Sequence, residues 1–370
     1  FGHYTRLDLI TAGMPEETYN KLHDHDYPLP HRWELLRPYL PEIRYGSYAR
    51  AAFIAARELY RFDDINDDNY QQISLAMQEA NQPGVYTWIL REKCNIACCL
   101  TQCGSTAVDG DLLIPLMPAD QLGAVANWQQ VQQRAAELEC SVNTLDDYVH
   151  LMEKGLLRWK EEGAVGIKTR CQPLPDGDRR QAVEAFEALR RGTESGLPGL
   201  HPLTTYLLDR LLELCARHEM MVAVHAGMWG DFTTLDCKHM IPVFMRHPET
   251  RFDLYHLSFP SVHDAVIIGK NFGNVWLNLC WTHIMSPTLT KEGMREILDF
   301  VPVNKVFAFG GDYSSRAVDK AIGHLRLAQD NIACVLAERV EEGVMTEDQA
   351  LEIARKWFWD NPKEAYGLEV

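Results

Sequence analysis

Lys168, His225, His256 and Asp312, whose side chains can bind metal ions or move protons, all stand where an apolar run gives way to a loop. Lys168 closes Ala164-Val165-Gly166-Ile167-Lys168, His225 closes Met221-Val222-Ala223-Val224-His225, and His256 closes Phe252-Asp253-Leu254-Tyr255-His256. Asp312 follows Lys305-Val306-Phe307-Ala308 through Phe309-Gly310-Gly311. Short apolar runs bounded by polar or turn residues have the pattern of buried strands. Neutral imidazoles and carboxylates are good ligands for zinc and similar ions. A lysine is a poor ligand while protonated, but burial lowers its pKa, and CO2 could then convert it to a carbamate that bridges two ions. Each residue alone has an ordinary explanation: a hydrogen-bonded core histidine, a lysine paired with a carboxylate, an aspartate capping a helix. Their joint occurrence at strand ends points to a metal centre.

The elements that must position these residues follow an α/β rhythm. From Ile96 onward seven strands begin near Ile96, Leu112, Ala164, Met221, Phe252, Val275 and Lys305. Helical patterns separate most of them, over Ala124–Leu138, Thr144–Glu162, Arg179–Arg191, His201–His218, Leu235–Arg246, Val262–Lys270 and Lys291–Val301. Right-handed crossovers make such a sheet parallel. The expected fold is a (β/α)8 TIM barrel, whose active site lies at the C-terminal ends of its strands. A closed barrel needs eight strands, so the first is expected before Phe1. Residues 1–93 are expected to form a helical insertion or cap and 94–370 the barrel. Two helices close the chain, and Thr346 with Gln349 caps the second of them.

The N-terminal region contains Leu22-His23-Asp24-His25-Asp26. His-x-His places two imidazoles on one face of a strand, but no apolar strand precedes it, and a solvated loop is expected. Arg170, Trp229, Trp281, His283 and Arg316 fall on strand-exit loops and are candidates for substrate contact. Arginines with aromatics suit an organic acid or a sugar acid.

Composition narrows the partners. The 370 residues are 46% hydrophobic and carry a formal net charge of -16, with a pI near 5.3. No basic stripe exists to neutralise nucleic-acid phosphates or to hold an anionic membrane. No apolar run approaches the roughly 18 residues of a membrane span. Ten cysteines in so large a chain suggest a reduced, cytoplasmic protein. Cys98 and Cys99 are strand neighbours that point to opposite faces, which argues against a shared ion.

At these residues the sequence resembles the amidohydrolase superfamily of metal-dependent barrel hydrolases, from about residue 96 to the C terminus. The motifs are Gly166-Ile167-Lys168, Val224-His225-Ala226-Gly227, Tyr255-His256-Leu257 and Gly311-Asp312. Asp360-Asn361-Pro362-Lys363-Glu364-Ala365-Tyr366-Gly367-Leu368 is similar to the closing helix of the second large subgroup. The region before residue 94 and the tail Glu342–Tyr366 also resemble uronate isomerases. The superfamily's first-strand His-x-His has no counterpart here. The resemblance implies a divalent metal, zinc first, as one or two ions held by His225, His256 and Asp312, with Lys168 bridging if there are two. It makes Asp312 the catalytic base. The activity implied first is hydrolysis of a small organic acid, amide, ester or lactone. A uronate-type isomerase or decarboxylase is the alternative, and a barrel that only binds small molecules is a third. Association into homo-oligomers is a further expectation.

Overall fold

The computed structural model describes residues 1–370 except 25, 194–200, 229 and 314–317. The chain folds into two compact units. One comprises Phe1–Ala97, Cys280–Met294 and Ala308–Leu351, the other Cys98–Leu279, Arg295–Phe307 and Glu352–Val370.

The second unit holds the sheet. Its strands are β1 (Cys99–Thr101), β2 (Leu113–Pro118), β3 (Gly166–Arg170), β4 (Met221–His225), β5 (Phe252–Tyr255), β6 (Val275–Asn278) and β7 (Val306–Phe307). All neighbours are parallel and the spatial order is the chain order. The sheet curls into a half-barrel. Among the described residues it has seven strands, the number counted in the sequence.

Side chains alternate across each strand, and the contacts show which way. Phe252 packs its ring 4.9 Å from Phe244 of the helix Ile241–Arg246, so Asp253 and Tyr255 face the opposite, concave side. Register aligns Lys168 with Ala223, Ala223 with Asp253, and Asp253 with Trp276. Arg170 lies opposite His225.

Several expected boundaries shift, the first strand starting at Cys99 and the helix expected from Ala124 starting at Trp128; two shifts bear on the strand ends. β3 continues two residues past Lys168, because Thr169 and Arg170 still pair with Val224 and His225. Lys168 therefore stands mid-strand. The helix expected over Leu235–Arg246 is broken into the short turns Phe232–Leu235 and Cys237–Met240 and the helix Ile241–Arg246. Asp236 accepts from the Lys238 amide and starts a new turn there, and Pro242 suits the first turn of the helix that follows.

Two caps form as their residues predict. Thr144 and Asp147 bond reciprocally at the start of Leu145–Glu161. Thr346 and Gln349 exchange amide contacts of 2.9 and 3.3 Å. The closing helix Asn361–Tyr366 is tied to β7 by the Asn361 amide, which donates to the Val303 and Val306 carbonyls, both at 2.8 Å.

The loop after β3 is pinned by a buried ionic cluster. Asp209, 1% exposed, accepts from His247 Nε2 at 2.8 Å, Arg246 Nη2 at 2.9 Å and the Gly177 amide at 2.9 Å. Arg246 also donates to the Leu174 carbonyl at 3.1 Å. A Cβ on Gly177 would meet the Tyr206 Cα at 2.6 Å, so only glycine lets the loop lie this close. Burial pushes the Asp209 carboxyl up, but donation from His247, Arg246 and Gly177 overrides it and holds the carboxyl below its usual range. A depressed carboxylate adds stability that is present above the unfolded pKa, near 3.9, and is lost as pH falls through the folded value. Asp209→Asn is therefore expected to cost about 1–3 kcal/mol at neutral pH, with the difference from the unsubstituted protein shrinking below about pH 4. Urea unfolding at the two pH values measures this.

In the first unit, Leu9, Met14, Trp33, Leu36, Leu40, Ile43 and Ile73 belong to a buried apolar cluster. Its helices include Ser47–Tyr60, Tyr70–Ala80 and Lys320–Glu341. His23 packs its ring 4.7 Å from Tyr19, and His25 lies outside the described residues. No described helix is long and apolar enough to cross a membrane, and no disulfide joins any of the ten cysteines.

Candidate metal centre

In the second unit, the strand pattern puts His225 at the last position of β4 and His256 immediately after β5. Their nitrogens approach closely: His256 Nε2 lies 3.1 Å from His225 Nδ1, and the rings meet at 70°. Zinc binds imidazole nitrogen at about 2.0–2.1 Å in tetrahedral geometry, which puts two donors about 3.3 Å apart. The pair thus has the spacing of two ligands to one ion, and also that of a ring N–H···N hydrogen bond. Among the described residues no group of three or more His, Cys, Asp or Glu side chains is gathered to hold an ion. Two positions of a ligand set fit a metal, and the described side chains do not assemble the rest.

The backbone around these histidines is unusual. His256, Leu257 and Ser258 have φ of 66°, 47° and 50°, a left-handed run that non-glycine residues rarely adopt. Such outliers concentrate at functional sites, where surrounding structure holds them. One restraint is visible. Gly227, two residues after His225, has φ of 81°, and a Cβ there would lie 2.3 Å from the Phe259 carbonyl oxygen. The exits of β4 and β5 therefore pack backbone to backbone. Gly227→Ala is expected to cost about 1–3 kcal/mol and to weaken metal uptake by spreading the histidines, read from denaturant midpoint and metal titration.

Lys168 brings its amine onto a ring of β5. Its Nζ sits 3.2 Å from the centroid of the Tyr255 ring. Near it lies Asp253, fully buried, whose Oδ2 accepts from Tyr366 Oη at 2.6 Å and Asn278 Nδ2 at 2.9 Å. Burial pushes the Asp253 carboxyl up against the opposing pull of Tyr366, Asn278 and the Lys168 charge. Arg170 is exposed at the end of β3 and borders a cavity of about 20 Å³ with Ile167, Leu174 and Met240.

Asp312, in the first unit, is engaged differently. It has φ of 51° and follows Gly310-Gly311. Tyr4 Oη donates to its Oδ2 at 2.7 Å and also meets its backbone carbonyl. Tyr4 is held between Trp281 and Tyr48, with centroids 4.7 and 5.3 Å away. Burial, then the Asp312 charge, drives the Tyr4 pKa far upward, so the phenol keeps its proton and remains the donor. His3 packs 4.0 Å from Tyr4.

Of the residues expected on substrate loops, Trp281 is 1% exposed with φ of 67°. His283 is fully enclosed. Its Nε2 donates to the Ala308 carbonyl at 2.9 Å, and Asn331 Nδ2 approaches its Nδ1 at 3.4 Å. Burial lowers its pKa to about 4 against the pull of Ala308. Trp229 and Arg316 lie outside the described residues. Sequence reasoning passed over Asp253, Tyr255, Tyr366 and Tyr4. A charged residue inside the apolar run Phe-Asp-Leu-Tyr was a usable signal for Asp253. Tyr4 carried none, since its partner is 308 positions away.

A family model described as Amidohydrolase matches residues 125–368. The chain belongs to the amidohydrolase superfamily. Among solved structures, the chain is similar in fold to a uronate isomerase from Thermotoga maritima, with a TM-score of 0.76 and 16% identity over 99% of this chain and 88% of that one. A glucuronate isomerase from Caulobacter crescentus gives 0.76 and 14%, over 100% and 85%. A protein named for metal-dependent hydrolysis, from Lactobacillus casei, gives 0.67 and 14%, over 96% and 92%. Among curated proteins, none matches the sequence.

Proposed function

We propose that this member of the superfamily is a metal-dependent enzyme acting on a small organic acid, with one ion held by His225 and His256. The observation that carries the proposal is the 3.1 Å approach of their nitrogens at adjacent strand ends. When bound, such an ion polarises a carbonyl or lowers the pKa of water. Both imidazoles must be unprotonated at the facing nitrogens to hold it. Arg170, in register with His225 and exposed, offers a forked donor for a substrate carboxylate. Asp312 enters the proposal as ligand and base on its sequence motif, and the Tyr4 hydroxyl orients its carboxylate.

Between the two reactions we place isomerisation first, on the fold shared with two uronate isomerases. A bridging carbamate on Lys168 would serve a two-ion hydrolase, whereas an unmodified amine over the Tyr255 ring would suit single-ion chemistry. Aldose–ketose interconversion of a uronate needs a proton moved between neighbouring carbons, which a positioned carboxylate can do. Hydrolysis of an amide, ester or lactone is the second reading, supported by the superfamily's name and by the Lactobacillus casei neighbour. The test is incubation of metal-loaded protein in D2O with uronates, and separately with lactones, amides and esters, followed by NMR. Interconversion with deuterium gained at the carbon beside the carbonyl is expected. Hydrolysis without isomerisation would transfer the proposal to the second reading, and no turnover of either set would contradict it.

A further inference from the structure

The side chain of Lys168 crosses the concave face of the sheet instead of standing on its own strand. The register places Ala223 directly between Lys168 and Asp253, two strand spacings or about 9–10 Å in all. Ala223 contributes only a methyl group, and it is fully buried. That gap lets the four-carbon stem reach over β4, so that Nζ rests on Tyr255 of β5 at 3.2 Å from the ring centroid. Tyr255 and Asp253 both suit a cation there. The Tyr255 face presents the negative side of an aromatic quadrupole. Asp253, two residues back on the same face of β5, supplies a carboxylate whose Oδ2 is fixed by Tyr366 and Asn278. Its buried Oδ1 has no hydrogen-bond partner among the described residues, and the nearby Lys168 charge opposes the effect of burial on this carboxyl.

We infer that Asp253 is a positioning residue for Lys168: with Tyr255 it holds the lysine across β4 as a fixed cation and keeps it from becoming a metal-bridging carbamate. A carbamate is an anion, and here it would face both the negative face of Tyr255 and the Asp253 carboxylate. The same contacts bring the C-terminal helix into the site, since Tyr366 anchors Asp253. For the metal proposal above, on which this consequence alone rests, the centre is left with a single ion.

The test is NMR of the metal-free full chain carrying 13C,15N-labelled lysine, with Lys168→Arg identifying the signal. The Lys168 ε-protons are expected well upfield of the other lysines, shifted by the ring beneath them. That shift is lost in Tyr255→Leu, reduced in Asp253→Asn, and reduced in Ala223→Val, where the added methyls close the gap. The remaining lysine signals report whether each variant is folded, and Ala223→Val serves if Asp253→Asn is not. An ordinary Lys168 position in the unsubstituted protein would overturn the inference. So would a shift unmoved in folded Asp253→Asn and Ala223→Val, or a carbamate carbon signal appearing with 13C-bicarbonate. No substrate or ion takes part, so failed turnover leaves the inference standing, and an ordinary lysine signal leaves the histidine proposal standing.

Discussion

Asp312→Asn is expected to lower kcat by about 10²–10⁴, the usual range for a positioned acid or base, with little change in thermal stability. The amide keeps the shape and still accepts from Tyr4 Oη, but it cannot take up a proton. Tyr4→Phe separates orientation from proton transfer. It deletes one hydrogen bond to a charged group, about 1.5–3 kcal/mol, which corresponds to a ten- to roughly hundredfold loss if the contact matters in the transition state. The Tyr4 hydroxyl does not titrate in the working range, so the alkaline limb of the kcat profile should be the same with and without it. Steady-state kinetics of both variants on the substrate found by the D2O screen is the measurement. Asp312→Asn within about tenfold of the unsubstituted enzyme would remove Asp312 from the role of base.

The second large effect is on metal affinity. His225→Ala and His256→Ala each delete one of the two facing nitrogens. Loss of a mere outer-shell partner typically costs 10–100-fold in affinity, and loss of a direct ligand should exceed that, so a drop of more than about a hundredfold is expected for each. The double variant should lose no more than the worse single one, because one imidazole alone holds an ion poorly. Titration against a chromophoric chelator measures all three. Affinity unchanged in both single variants would show that the 3.1 Å contact is only a hydrogen bond.

What the sequence revealed and what it hid have the same physical origin. Periodicity and turn residues located β4 and β5 closely, because apolar runs such as Met221–Val224 end at polar residues. They misplaced the end of β3, since Thr169 and Arg170 are polar yet remain in the ladder through pairing with β4. Propensity could not foresee that Asp236 restarts the chain after β4 as short turns. The histidine pair was legible because both residues fall at strand ends. The destination of Lys168 was not, since it depends on a methyl-sized gap at Ala223 and on a ring supplied two strands away. His283 showed the same limit: loop position suggested substrate contact, but the ring is enclosed and bonded to Ala308. The Tyr4–Asp312 contact joins positions 308 apart, and no local pattern encodes it.

The most direct test of the central claim is elemental analysis of the full chain after loading with zinc and removal of excess ion, beside Lys168→Ala and His225→Ala. About one equivalent is expected in the unsubstituted protein, retained in Lys168→Ala and lost in His225→Ala. About two equivalents, falling in Lys168→Ala, would contradict the single-ion centre. No bound metal under any loading condition would contradict the metal centre itself.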